Sequence, residues 1–118
     1  MTTRKTLLIC DDELGVRESL KLILENDYNL DFAESGVAAI EKVRSTSFDG
    51  ILLDIKMPVR NGLDTLEEIR TLAPDIKVII VTGYQSVETA VKAVELGAID
   101  YITKPFESAE VKEKVGRI

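Results

Sequence analysis

Histidine is absent from this 118-residue chain, and cysteine occurs once. Without imidazole the chain lacks the commonest metal ligand and the usual general base at neutral pH, so any chemistry must rest on carboxylates, lysine and hydroxyls. The lone Cys10 cannot form an internal disulfide, which points to a reducing compartment. Long apolar runs are also missing. The opening Met1-Thr2-Thr3-Arg4-Lys5 leads into a stretch too short for a signal peptide, and no later stretch has the length to span a membrane. Fifteen basic side chains face twenty-one acidic ones, and the formal charge of -6 disfavours direct contact with nucleic acid or anionic lipid. No linker, repeat or low-complexity segment is visible. A single cytoplasmic domain over residues 1–118 is the expectation.

What the sequence does contain is an alternation of strand-length apolar runs with segments of helical period, the pattern of β/α units around a parallel sheet. Five units can be counted. The first strand reads Thr6-Leu7-Leu8-Ile9-Cys10. Its helix places Val16, Leu20, Ile23 and Leu24 on one face and Arg17, Lys21 and Glu25 on the other. Asn29 to Ala33 alternates polar with apolar, as a half-exposed edge strand does, and Ser35 is placed to cap the second helix. Ile51-Leu52-Leu53 and Val78-Ile79-Ile80-Val81 are unbroken apolar runs that belong in mid-sheet. Met57-Pro58 and Asn61-Gly62 are turn signals before a third helix carrying Leu63, Leu66 and Ile69, which ends near Pro74. The fourth helix is expected from about Ser86, with Val87, Ala90, Val91 and Val94 as its apolar stripe and Gly97 as a left-handed cap. A fifth strand, Ile99 to Thr103, and a last helix with Val111, Val115 and Ile118 on one face complete the pattern.

In an open α/β sheet, residues at the carboxyl ends of the strands converge although they are distant in sequence. Strand one ends in Cys10-Asp11-Asp12-Glu13, strand three in Asp54, strand four in Thr82 and strand five in Thr103-Lys104-Pro105. Each has an ordinary reading. Asp11 and Asp12 can cap a helix, Asp54 can be a turn acid, Thr82 a β-branched strand residue and Lys104 a solvated charge. Together they demand more, because converging carboxylates repel one another unless a cation or a shared proton compensates. Oxygen ligands without histidine or a cysteine cluster point to magnesium, and magnesium points to phosphate chemistry. A carboxylate can serve as nucleophile and become an aspartyl phosphate, with metal and lysine neutralising the charge. Spacing alone does not say which acid is attacked.

The chain resembles two-component response-regulator receiver domains over essentially its whole length. The likeness rests on the acidic pair in Ile9-Cys10-Asp11-Asp12-Glu13, on Leu53-Asp54-Ile55-Lys56-Met57-Pro58 with Asn61-Gly62 after it, on Val81-Thr82-Gly83, and on Asp100-Tyr101-Ile102-Thr103-Lys104-Pro105-Phe106. The resemblance implies a flavodoxin-like, doubly wound five-stranded parallel sheet in the order 2-1-3-4-5 with five helices. In that order the winding reverses between strands one and three, which opens a ligand crevice beyond their carboxyl ends. The resemblance further implies that Asp54 is the phosphoacceptor, that Asp12 and Asp54 bind magnesium directly and Asp11 through water, and that the Lys56 carbonyl is a further ligand. By the same likeness Lys104 pairs with the phosphate, the Lys104-Pro105 bond is cis, and Tyr101 is the aromatic that turns inward when Thr82 moves. The readout face would be helix four, strand five and helix five. Lys56 and Tyr84 flank the expected path of hydrolytic water and are expected to tune phosphoryl lifetime. Cys10 is expected to be a small buried residue rather than a redox sensor, and Met57 and Pro58 to be loop packing.

The implied partners are a sensor histidine kinase or phosphotransfer protein and an effector domain or a second copy paired through helices four and five. Transcriptional activators with an ATPase domain carry similar phrases around Thr82-Gly83-Tyr84. Such a domain catalyses its own phosphorylation and slow reversal, and is a switch rather than an enzyme with turnover. Three other readings compete. An aspartyl-nucleophile phosphatase resembling the haloacid dehalogenases would carry a second acid where Lys56 stands. A flavin module would need a phosphate loop where Asp11-Asp12-Glu13 would repel one. A degenerate receiver acting only as an interaction module would not need acceptor, acid pair, threonine and lysine together.

Overall fold

The computed structural model describes residues 4–57, 61–83 and 87–118, without the side chain of Val87. Ten elements alternate along the chain: β1 Thr6–Cys10, α1 Leu14–Leu24, β2 Asn29–Ala33, α2 Gly36–Ser45, β3 Gly50–Leu53, α3 Gly62–Leu72, β4 Lys77–Thr82, α4 Val87–Glu95, β5 Ala98–Thr103 and α5 Ser108–Val115. All strand pairs are parallel and the sheet order is β2-β1-β3-β4-β5. The pleat sends alternate residues to opposite faces, and helices cover both. Leu8, Cys10, Ile51, Leu53, Val78 and Ile80 pack under Ile40, Leu66, Ile69 and Ala93 of α2, α3 and α4. Leu7, Ile9, Leu52, Ile79, Val81 and Ile102 pack under Leu20 and Leu24 of α1 and Val111 and Val115 of α5. This double burial is why the central runs are apolar without interruption. Among the described residues no helix is long and apolar enough to cross a membrane.

Local signals act as expected at several boundaries. The Ser35 hydroxyl accepts the Ala38 N–H at 3.1 Å and Gly97 takes φ of 96° where α4 gives way to β5, while Asn61, read only as a turn residue, also caps α3 by accepting the Asp64 N–H at 3.0 Å. Three expectations need correction. The stripe of α4 does not all face the core: among its described side chains Ala93 is the buried one, whereas Val91 and Val94 are 51% and 67% exposed. Periodicity cannot rank two overlapping stripes, and packing selects the one that carries Ala93. Ile118 lies beyond the end of α5, although it still packs against the α1/α5 core. Arg17, expected on the solvent face of α1, is half-buried and turns back toward β1. Pro58, Tyr84 and Ser86 lie outside the described residues.

The outer strand β2 shows how the edge is closed. In a parallel ladder alternate residues bond to one neighbour, so Asn29, Asp31 and Ala33 face β1 while the Phe32 N–H and C=O point away from it. The Phe32 N–H donates to Asp31 Oδ1 at 2.8 Å, and Lys42 Nζ reaches both Asp31 Oδ1 at 2.7 Å and the Phe32 carbonyl at 2.6 Å. The pair thereby occupies edge groups that another strand would use. Lys42→Met is expected to cost no more than about 1 kcal/mol, since the pair is half-exposed, but to cause concentration-dependent self-association measurable by light scattering. The Lys42 hydrogen bond holds the Asp31 carboxyl below its ordinary value of 3.8. A depressed carboxylate stabilises the fold above its unfolded pKa and ceases to do so as pH falls through the folded one. The stability difference between wild type and Lys42→Met should therefore vanish below that range.

Candidate functional site

The ladder bonds run on past the strand ends and bring the polar residues together. Asp11 N–H donates to Ala33 O at 3.1 Å, Asp54 N–H to Cys10 O at 3.0 Å, and Lys104 N–H to Thr82 O at 3.1 Å. Because β1 and β3 are neighbours, Asp11 and Asp54 emerge side by side, and each is almost wholly buried at 2% and 3% exposure. Asp12, one residue further out, is exposed. One carboxylate oxygen from each of the three acids lies within 4.8 Å of the others. Thr82 is fully buried at the end of β4.

Lys104 directly follows β5, before a cis bond to Pro105, and places its ammonium among the acids. Nζ lies 2.7 Å from Asp11 Oδ2, 3.4 Å from Asp54 Oδ2 and 3.8 Å from Glu13 Oε1. Burial works against the ammonium, but its bond to Asp11 and its attraction to Asp11 and Asp54 outweigh that and hold its pKa above the usual lysine value. The proton stays on the lysine. Burial raises the Asp11 carboxyl, and the hydrogen bonds from Lys104 and from the Glu13 N–H at 2.9 Å only partly offset it. The bond from Glu13 N–H precedes α1 rather than capping it, for α1 starts at Leu14 and its cap residue Glu13 makes no side-chain capping bond. The ordinary capping role of Asp11 and Asp12 is thus not realised.

The remaining expected residues fall around this centre. Lys56 is exposed, and its N–H donates to Asp54 Oδ1 at 3.2 Å. Tyr101 is half-buried against the core that α2, α3 and α4 share. Cys10 sits beneath the acids, its Sγ 3.4 Å from Ser35 O and 3.8 Å from Met57 Sδ. Burial and the neighbouring Asp11 and Asp54 push its thiol up to about 12. At neutral pH it is therefore protonated and, at 1% exposure, shielded. Alkylation with iodoacetamide should leave native Cys10 unmodified and should proceed only in denaturant, as read by intact mass.

Two contributors were not legible from sequence as parts of the site. Gly62, read there as a turn residue, lies against the backbone of Asp54 and Ile55: a Cβ built on it would stand 2.5 Å from Ile55 Cα and closer still to the Asp54 carbonyl. Arg17 donates from Nη1 to the Asp11 carbonyl at 2.6 Å. Helical side chains lean toward the N-terminus of their helix, so a long one in the first turn of α1 can reach back over its start. Its position near the start of a helix that follows an acidic strand end is the one signal that could have marked it.

The arrangement is three carboxylates that can hold a hard divalent cation, with an ammonium beside the two buried ones and a buried threonine at the end of the strand next to β3. Residues 7–116 match the family described as the response regulator receiver domain. The transcriptional regulatory protein ZraR of Klebsiella oxytoca is 42% identical over 102 residues, which are 86% of this chain and 23% of that protein. The response regulator MprA of Mycobacterium ulcerans is 36% identical over 106 residues, 89% of this chain and 46% of that one. The chain thus spans between about a quarter and half of these relatives. Among solved structures, a CheY-like response regulator receiver domain protein from Methanospirillum hungatei JF-1 superposes with a TM-score of 0.94 at 35% identity, covering 98% of this chain and 93% of that one. The response regulator TrrA of Thermotoga maritima, solved in complex with Mg(2+)-BeF, gives 0.86 at 38% identity over 96% and 97% of the two chains.

Proposed function

Because the chain belongs to the response regulator receiver domain family, we propose that Asp54 accepts a phosphoryl group and that Asp11, Asp12, Asp54 and the Lys56 carbonyl hold one magnesium ion. The observation that carries this reading is the seat of Asp54, buried within 4.8 Å of two other carboxylates and 3.4 Å from the Lys104 ammonium. The donor set is all oxygen, which suits magnesium, and the three acids exceed what one lysine neutralises. Magnesium, when bound, offsets charge on the acids and on the transferring phosphoryl oxygens.

In the transfer, an electron pair on the Asp54 carboxylate forms the new O–P bond while the donor's bond to phosphorus breaks. With a phosphohistidine donor that is an N–P bond, and with acetyl phosphate it is the O–P bond to acetate. No histidine occurs in these 118 residues, so the phosphohistidine lies outside them, on a sensor kinase or phosphotransfer protein. Lys104 pairs with one phosphoryl oxygen and Thr82 donates its hydroxyl to another. The Thr82 displacement lets Tyr101 settle inward and alters the face built by α4, β5 and α5. That face carries exposed Val91, Val94 and Ile99, an apolar surface suited to an effector domain or partner protein. The name of ZraR supports a transcriptional output. Incubation with acetyl phosphate tests the reading: one phosphoryl group should be gained per chain with magnesium and none after chelation by EDTA. A metal-independent adduct would refute the assignment.

A further inference from the structure

Asp12 is the exposed acid of the cluster, and among the described residues no hydrogen bond or ion pair holds its carboxylate. Asp11 and Asp54, by contrast, are each fixed by a backbone N–H and by Lys104. With no side-chain partner among the described residues, the direction in which Asp12 leaves the backbone is set by its main chain. The peptide before its Cα contains the Asp11 carbonyl, which accepts from Arg17 Nη1 at 2.6 Å. The N–H after it, that of Glu13, is held by Asp11 Oδ1 at 2.9 Å, and the Asp11 N–H is held by Ala33 O at 3.1 Å. Asp12 hangs between two peptides whose planes are both pinned, and among the described residues Arg17 is the side chain that pins the first.

We propose that Arg17 is a positioning residue for the metal site: its guanidinium fixes the Asp11–Asp12 peptide and so aims the Asp12 carboxylate at the magnesium that the cluster holds. The proposal rests on the magnesium reading above. Its sign separates it from simple electrostatics. A guanidinium beside a cation site repels the cation, so removing it would tighten magnesium binding if charge were all that mattered. Positioning requires the reverse. Groups that orient metal ligands are typically worth about ten- to a hundredfold in affinity, and the lower figure applies here because one of several ligands is affected.

Calorimetric titration with magnesium chloride would decide, using wild type, Arg17→Met, Arg17→Lys, Asp12→Asn and the double variant Arg17→Met/Asp12→Asn. Arg17→Met should bind magnesium about tenfold more weakly. Arg17→Lys, which keeps a donor, should recover most of that loss. In the Asp12→Asn background Arg17→Met should have no further effect, a coupling that a general loss of stability would not produce. Magnesium bound as tightly or more tightly by Arg17→Met, or an equal loss with and without Asp12, would overturn the proposal. Should Arg17→Met fail to fold, Arg17→Gln takes its place with the same two outcomes. Failure of wild type itself to bind magnesium would overturn the magnesium reading instead.

Discussion

Asp54→Asn is expected to gain no phosphoryl group from acetyl phosphate and magnesium under conditions in which the wild-type chain gains one. The substitution keeps the size of the side chain and its amide oxygen can still accept the Lys56 N–H, which lies 3.2 Å from Oδ1. It removes the anionic electron pair that attacks phosphorus, and a neutral amide is no substitute for it. The loss should be complete rather than graded. Folding should survive, because Lys104 keeps its shorter bond to Asp11 at 2.7 Å and the cluster loses one of its mutually repelling charges. A thermal midpoint at or above that of wild type is the expected companion result, read by circular dichroism. Intact-mass measurement on both proteins checks the adduct. A phosphoryl group on Asp54→Asn in wild-type yield would transfer the acceptor role to Asp11 or Asp12.

Much of this site was legible in sequence because strands place their ends at one edge of the sheet and the sequence marks strand ends well. The apolar runs ending at Cys10, Leu53 and Val81 are buried on both faces, and the residues that follow them, Asp11, Asp54 and Thr82, are the polar ones, still buried, that the sheet edge gathers. Ser35 and Gly97 were legible for a different reason: capping chemistry is local and needs no knowledge of the rest of the chain. What stayed hidden depends on distances between elements. Val91 and Val94 share a helical stripe with the half-buried Ala90, and only the seating of α4 shows that the smaller Ala93 faces inward. Arg17 has the spacing of a solvent-facing residue, yet the rise of α1 from β1 puts an acceptor within its reach. The preference of Lys104 for Asp11 over Asp54, 2.7 Å against 3.4 Å, likewise has no counterpart in spacing.

Gly62→Ala should disable the same chemistry from outside the acidic cluster. Gly62 opens α3, its N–H donates to Ile55 O at 2.6 Å, and its missing side chain is what lets α3 start directly against the loop that carries the acceptor. A methyl group there would meet Ile55 Cα at 2.5 Å and crowd the Asp54 carbonyl, and both are main-chain atoms that no rotamer change can move aside. Either α3 shifts outward, opening the packing of Leu66 and Ile69, or the Asp54 main chain yields. Overpacking of this kind costs about 1–3 kcal/mol, and occasionally more, which denaturant melts would measure. Displacement of the nucleophile by even about 1 Å can cost roughly a hundredfold in rate, so phosphorylation by acetyl phosphate should slow far more than loss of folded protein explains. Gly15→Ala supplies the contrast. Gly15 lies in α1 with nothing within 4 Å of an added Cβ, and alanine there should stabilise the fold by up to about 1 kcal/mol while leaving phosphorylation intact. Equal phosphorylation rates in Gly62→Ala and wild type, each corrected for folded fraction, would show that the close approach of α3 does not set the position of Asp54.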